Sequence, residues 1–108
     1  MTVADIPLKE KNAILGYKNI LSSRFPNYIK KIILFGSYAK GKFNRNSDID
    51  LLILVNKRKR KIWKEIVGLS FDTLLEHNVD ISPLVMEEER YAGWSPLLER
   101  IKREGVEV

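Results

Sequence analysis

Three aspartates and one Gly-Ser pair are the residues of this chain best suited to do chemistry. Gly36-Ser37 ends an apolar run, Ile33-Leu34-Phe35. Ten residues later Asp48-Ile49-Asp50 opens a second apolar run, Leu51 to Val55, and Asp80 stands at the start of a third, Val79 to Met86. Side chains two apart on a strand share a face, so Asp48 and Asp50 point the same way, about 6.5–7 Å apart along the strand. Carboxylates held side by side repel, so one is neutral or a cation sits between them. Oxygen-only ligands suit Mg²⁺, which keeps several waters and bridges to substrate phosphates. Gly36 permits close backbone approach, and Ser37 adds an N–H and a hydroxyl, the parts that hold a phosphate. Together these pieces read as a site for a metal-bound nucleotide.

The elements that must position them follow from apolar spacing and turn residues. Pro7 to Ser23 reads as a helix, with Ala13, Ile14, Tyr17, Ile20 and Leu21 as its apolar stripe; Pro26 stops it. Tyr28 to Phe35 reads as a strand, Gly36 to Asn46 as a connection with a helical turn at its start, and Asp48 to Val55 as a second strand. Arg60 to Glu76 has helical spacing, with Ile62, Trp63, Ile66, Val67, Ser70, Phe71 and Leu74 on its buried side, and His77-Asn78 at its end. Val79 to Met86 reads as a third strand, which Pro83 places at an edge. Glu87 to Tyr91 is a short turn or helix. Ser95 caps a last helix with Pro96 at its first position and Leu97, Leu98 and Ile101 on one side; Gly105 closes it, and Val106 to Val108 adds a final strand.

This order predicts where the aspartates meet. The second and third strands are joined through a helix, so they lie parallel by a right-handed crossover and begin at the same end of the sheet. If the first strand runs antiparallel to the second, Gly36-Ser37 finishes at that end too. Gly36, Ser37, Asp48, Asp50 and Asp80 then converge from three separated segments. The expected class is α/β, a small mixed sheet flanked by helices, forming a single domain over residues 1–108.

The totals limit the alternatives. At 44% hydrophobic and 31% charged, the 108 residues read as globular. No apolar run reaches membrane-spanning length, and Met1 to Leu8 lacks the basic start and apolar core of a secretory signal. Without cysteine there is no disulfide, zinc–thiolate site or cysteine nucleophile. These features fit a cytoplasmic protein. The net charge of +5 equals the charge of one run, Lys57 to Lys61, so the basicity is local and direct nucleic-acid binding is not expected from it. That run lies at the far end of the second strand, about 25–30 Å from the aspartates by strand rise.

Gly36-Ser37, ten residues, then Asp48-Ile49-Asp50 resembles the signature of the polymerase-β-type nucleotidyltransferase superfamily. The longer form, Gly36-Ser37-Tyr38-Ala39-Lys40-Gly41 with Ser47-Asp48-Ile49-Asp50-Leu51, is similar to the minimal nucleotidyltransferases known as MNT proteins, as is the ending Pro96 to Val106. The resemblance implies a bound NTP and two Mg²⁺ ions. It implies that Gly36 and Ser37 hold the β- and γ-phosphates and that Asp48 and Asp50 ligate both metals. Asp80 matches the third carboxylate, which ligates one metal and helps deprotonate the attacking hydroxyl. It further implies an antitoxin that transfers AMP from ATP to a tyrosine of a HEPN-domain toxin, with which it assembles. A contact-only antitoxin, a transferase acting on a small molecule, and a nucleic-acid binder acting through Lys57 to Lys61 are the competing functions.

The remaining signals are weaker. Lys40, Lys42 and Arg45 lie where they could reach a triphosphate, although solvated roles suit them. His77 reads as a helix-end residue, and Trp63 and Trp94 as core or interface. Tyr91, Trp94 and Leu97 form a possible partner patch.

Overall fold

The computed structural model describes residues 6–44 and 47–108. The elements run α1 (Leu8–Arg24), β1 (Ile29–Phe35), α2 (Ser37–Lys40), β2 (Ile49–Val55), α3 (Arg60–His77), β3 (Ile81–Glu87), α4 (Glu88–Tyr91), α5 (Pro96–Glu104) and β4 (Val106–Glu107). Four strands form one sheet in the order β3-β2-β1-β4. β2 pairs parallel with β3 and antiparallel with β1, as the crossover argument requires. β3 is an edge strand, where Pro83 leaves no inner ladder bond unmade. The predicted mixed α/β architecture is the observed one.

The sheet is buried on both faces because its central strand is apolar at every position from Leu51 to Val55. Alternation sends Ile32, Leu34, Leu51 and Ile53 to one face, where they pack with residues of α1 and α3. Ile33, Leu52 and Leu54 go to the other, against Leu98 and Ile101 of α5. The Tyr17 hydroxyl donates to the Ile66 carbonyl at 2.7 Å, which ties α1 to α3 and satisfies a buried polar group. Burial raises the Tyr17 pKa, so that hydroxyl stays a donor.

Helix ends follow their chemistry. Asn78 closes α3 in the left-handed conformation, with φ of 55°. Ser95 caps α5, its hydroxyl accepting from the Leu98 N–H at 3.1 Å, with Pro96 in the first turn. Gly105 ends α5 for a reason of space: a Cβ there would lie 2.5 Å from the Ile101 carbonyl oxygen and 2.7 Å from the Ile33 side chain.

The helix stripes differ in detail from their sequence reading. On α3 the buried residues are Ile66, Leu69, Ser70 and Thr73, while Phe71 is 60% exposed. Ser70 is buried as expected, and the face is rotated toward Leu69 and Thr73; the Ser70 and Thr73 hydroxyls donate to the carbonyls of Val67 and Leu69, which lets polar residues occupy the core side. On α1, Ile20 is exposed and the stripe narrows to Ala13, Ile14, Tyr17 and Leu21. Trp94 is exposed, not core; its indole N–H donates to Glu99. No helix among the described residues is long and apolar enough to cross a membrane.

Candidate active site

The register of β1 on β2 sets the site. Phe35 faces Asp50 across the ladder, so the chain leaving β1 at Gly36 passes directly over the Asp50 carboxylate. Gly36 has φ of 76° and ψ of −152°, a region almost reserved for glycine. A Cβ at this position would collide with Oδ2 of Asp50 and lie 3.1 Å from its Cγ. Glycine is therefore required twice, by backbone conformation and by the carboxylate beneath it.

Ser37 then begins α2, and Gly41 ends it in the left-handed conformation, its N–H reaching back toward the turn. Tyr38 is buried and stacks on Phe43 with ring centroids 4.3 Å apart. That stack fixes the first half of the connection to β2. Burial, and secondarily the charge of Glu10, raise the Tyr38 pKa.

Asp48 precedes β2 by one residue and Asp80 precedes β3 by one residue. The Ile49 N–H donates to the Asp80 carbonyl at 2.9 Å, which aligns the two strand openings. The aspartates feel one another. Burial raises the Asp50 pKa first and the negative charge of Asp48 raises it further. Asp80 is raised by burial, by the charge of Asp48 and by a side-chain hydrogen bond with Asp48. Three carboxyl groups thus gather at one end of the sheet beside Gly36 and Ser37, as the topology argument anticipates.

Among the described residues no set of three or more His, Cys, Asp or Glu side chains closes on a metal by itself. The donor set nevertheless fits Mg²⁺. Its atoms are all oxygens, their mutual repulsion favours a cation, and Mg²⁺ completes its octahedron with water and phosphate instead of a full protein cage.

Two clefts open from this junction. One, of about 360 Å³, lies between α2 and α5 and contains Gly36, Ser37, Lys40, Lys42 and Arg100 over an apolar floor of Phe35 and Ile101. Lys40 pairs with Glu104 across it at 3.3 Å. The other, of about 550 Å³, contains Asp48 and Asp80 with Lys9, Glu10, Tyr38 and Leu74. Lys40 and Lys42, read as solvated from sequence, thus stand beside the Gly-Ser turn. Arg45 lies outside the described residues.

Arg100, Glu104, Lys9 and Glu10 were not legible as site residues, because each belongs to a helix remote from the aspartates in sequence. The one available signal is the spacing of Leu97, Arg100 and Glu104, which places them on a single face of α5. Leu97 belongs to this cleft-lining face, and is not packed beside Leu98. His77 sits at the end of α3, as expected. The run Lys57 to Lys61 is exposed past the far end of β2; the Arg58 guanidinium lies over the half-buried Trp63 ring, and the Arg58 backbone N–H donates to the Glu87 carboxylate.

Known proteins resemble this chain in sequence and fold. Residues 14–107 match the nucleotidyltransferase domain family. Two relatives from Methanocaldococcus jannaschii, both provisionally named protein adenylyltransferases, are 38% identical over 82% of this chain and 87% of their own length, and 29% identical over 88% and 94%. Among solved structures, a toxin–antitoxin complex with AMP-PNP superposes with a TM-score of 0.60 at 25% identity, covering 89% of this chain and 69% of that one. The complex of a tri-AMPylated HEPN toxin with an MNT antitoxin from Shewanella oneidensis gives 0.53 at 19% identity, covering 88% and 70%, a likeness of fold.

Proposed function

Since the chain belongs to the nucleotidyltransferase domain family, we propose that it is a protein adenylyltransferase that moves AMP from ATP onto a tyrosine of a HEPN-type toxin and so acts as its antitoxin. The observation that carries this reading is the Gly36 backbone lying on the Asp50 carboxylate, with Asp48 and Asp80 gathered beside it. In this reading a phosphate-holding turn lies against an acidic centre. The relatives' names and the AMP-PNP and AMPylated complexes support the nucleotide and the acceptor class.

In this reading the backbone of Gly36 and the N–H and hydroxyl of Ser37 hold the β- and γ-phosphates, with Lys40, Lys42 and Arg100 as nearby countercharges. Asp48 and Asp50 would hold two Mg²⁺ ions, with Asp80 on one of them, and the ions would supply neutralisation of phosphate charge on both sides of the reacting bond. Asp80 accepts the proton of the tyrosine hydroxyl. The tyrosine oxygen bonds to the α-phosphorus, the bond from that phosphorus to the bridging oxygen of the β-phosphate breaks, and pyrophosphate leaves. Positioning and charge compensation do most of the work.

The test uses the purified chain, ATP labelled on its α-phosphate, Mg²⁺ and the toxin encoded beside it. Label should pass to a toxin tyrosine, and the Asp48→Ala/Asp50→Ala variant should transfer none. A double variant that still neutralises the toxin fully would show a contact antitoxin instead.

A further inference from the structure

The outward face of α3 is covered by nothing among the described residues. At 3.6 residues per turn, Lys61, Lys64, Phe71, Asp72 and Leu75 fall within about 60° of Gly68 around the helix. They lie opposite the buried Ile66, Leu69, Ser70 and Thr73. Lys61, Lys64, Gly68, Phe71 and Leu75 recur at alternating steps of three and four, the spacing of a seam between two packed helices. Phe71 and Leu75 stand on this seam 60% and 85% exposed.

Gly68 is a second, independent observation. It lies inside a helix of 18 residues, where glycine is disfavoured. It has no positive φ, and a Cβ there would meet nothing within 4 Å. Neither backbone conformation nor a neighbour in the same chain requires glycine at this position. The space over it is open to a group arriving from outside.

The charges are a third. On the exposed surface of α3, the half before Gly68 holds Arg60, Lys61 and Lys64 against Glu65. The half after it holds Asp72 and Glu76, with no lysine or arginine. This order opposes the helix dipole, which favours acids at the N-terminus and bases at the C-terminus. Among the described residues, Lys61, Lys64, Glu65 and Asp72 form no ion pair, so their charges are unspent. A polyanion is repelled by the second half, and a basic peptide by the first. A surface carrying both signs in this order is complementary to itself when turned end for end.

We propose that this face joins two copies of the chain through an antiparallel α3–α3 contact with a two-fold axis between Gly68 and Phe71. The basic half of each helix meets the acidic half of the other, and Phe71 of each enters the space over Gly68 of its partner. Leu74 and Asn78, beside Leu75, line the cleft that holds Asp48 and Asp80, so the contact ends next to that cleft in each copy. The proposal stands independently of the adenylyl-transfer reading.

Sedimentation equilibrium of the full chain, without nucleotide or toxin, should give twice the mass of one chain. Gly68→Gln adds a side chain that the monomer accommodates and that favours the helix. Circular dichroism should therefore show an intact fold, while association weakens about tenfold or more, the cost of overpacking the seam. Two charge reversals give the decisive comparison. Lys61→Glu/Lys64→Glu makes both halves acidic, and Asp72→Lys/Glu76→Lys makes both basic, so each variant alone should be monomeric. Mixed in equal amounts they should form a mixed dimer, because every half then faces its opposite. A monomeric wild type overturns the inference and leaves the face to a different partner. Larger assemblies, a dimer untouched by Gly68→Gln, folded reversal variants that dimerise alone, or folded reversal variants that fail to pair when mixed overturn it equally.

Discussion

Gly36 is where backbone and chemistry are least separable. Gly36→Ala forces a Cβ into the Asp50 carboxylate and leaves a non-glycine residue with positive φ. The conformational penalty alone is about 1–3 kcal/mol, so a denaturant midpoint lowered accordingly, together with lost transfer, is the expected result. Asp50 and Asp80 carry a second prediction. Both bind their protons more tightly in the folded chain, Asp50 through burial and then Asp48, Asp80 through burial, the Asp48 charge and its hydrogen bond. An acid with a raised folded pKa lends stability that is complete below its unfolded value and is lost as pH rises through the folded value. At neutral pH, without divalent cation, both carboxylates therefore cost stability. Asp50→Asn should raise Tm by a few degrees at pH 7 while abolishing transfer, and the gain should fade as the pH approaches 4. Added Mg²⁺ should raise the wild-type Tm and leave the Asp48→Ala/Asp50→Ala Tm unmoved.

At the scale of elements, α5 is the piece whose position decides the cleft beside Gly36 and Ser37. Its Ser95 cap and the tight fit of Gly105 against Ile33 hold its two ends, and between them Leu98 and Ile101 bury against the sheet. Arg100 and Glu104 are thereby held over the Gly-Ser turn. Ser95→Ala should cost about 0.5–2 kcal/mol, read as a lower Tm, and should raise the KM for ATP more than it lowers kcat. The strand directions and α5's polar cap were legible because strand–helix–strand connection rules and Ser-Pro spacing are local or nearly local. The buried face of α3 was legible only in part. The helical stripe placed Ser70 inward, as observed, but Phe71 with it, whereas the packed helix turns Leu69 and Thr73 to the core; the Ser70 and Thr73 hydroxyls find carbonyls one turn back.

For the molecule as a whole, the basic run is set apart from the acidic centre. The Lys57 to Lys61 run lies beyond the far end of β2 from the aspartates. Replacing Lys57, Lys59 and Lys61 by Gln together should leave AMP transfer within about twofold, since exposed charges separated by more than about 8–10 Å are screened at physiological ionic strength. A larger fall in transfer, measured with labelled ATP, would place that run within reach of a substrate. The clefts beside Gly36-Ser37 and beside Asp48-Asp80, in contrast, open at the same sheet end as Asp50.

What the amino-acid sequence determined by itself was the acidic and Gly-Ser centre. Its parts sit at strand termini, and strand direction follows from connectivity, so Gly36, Ser37, Asp48, Asp50 and Asp80 could be brought to one end by topology alone. The walls around that centre were decided only by tertiary structure. Lys9 and Glu10 come from α1, Leu74 from α3, and Arg100 and Glu104 from α5. Which residue of a helix meets a distant turn depends on how the helix is rotated and how closely it packs, and those are set by the fit of side chains across the core, not by any pattern within the helix.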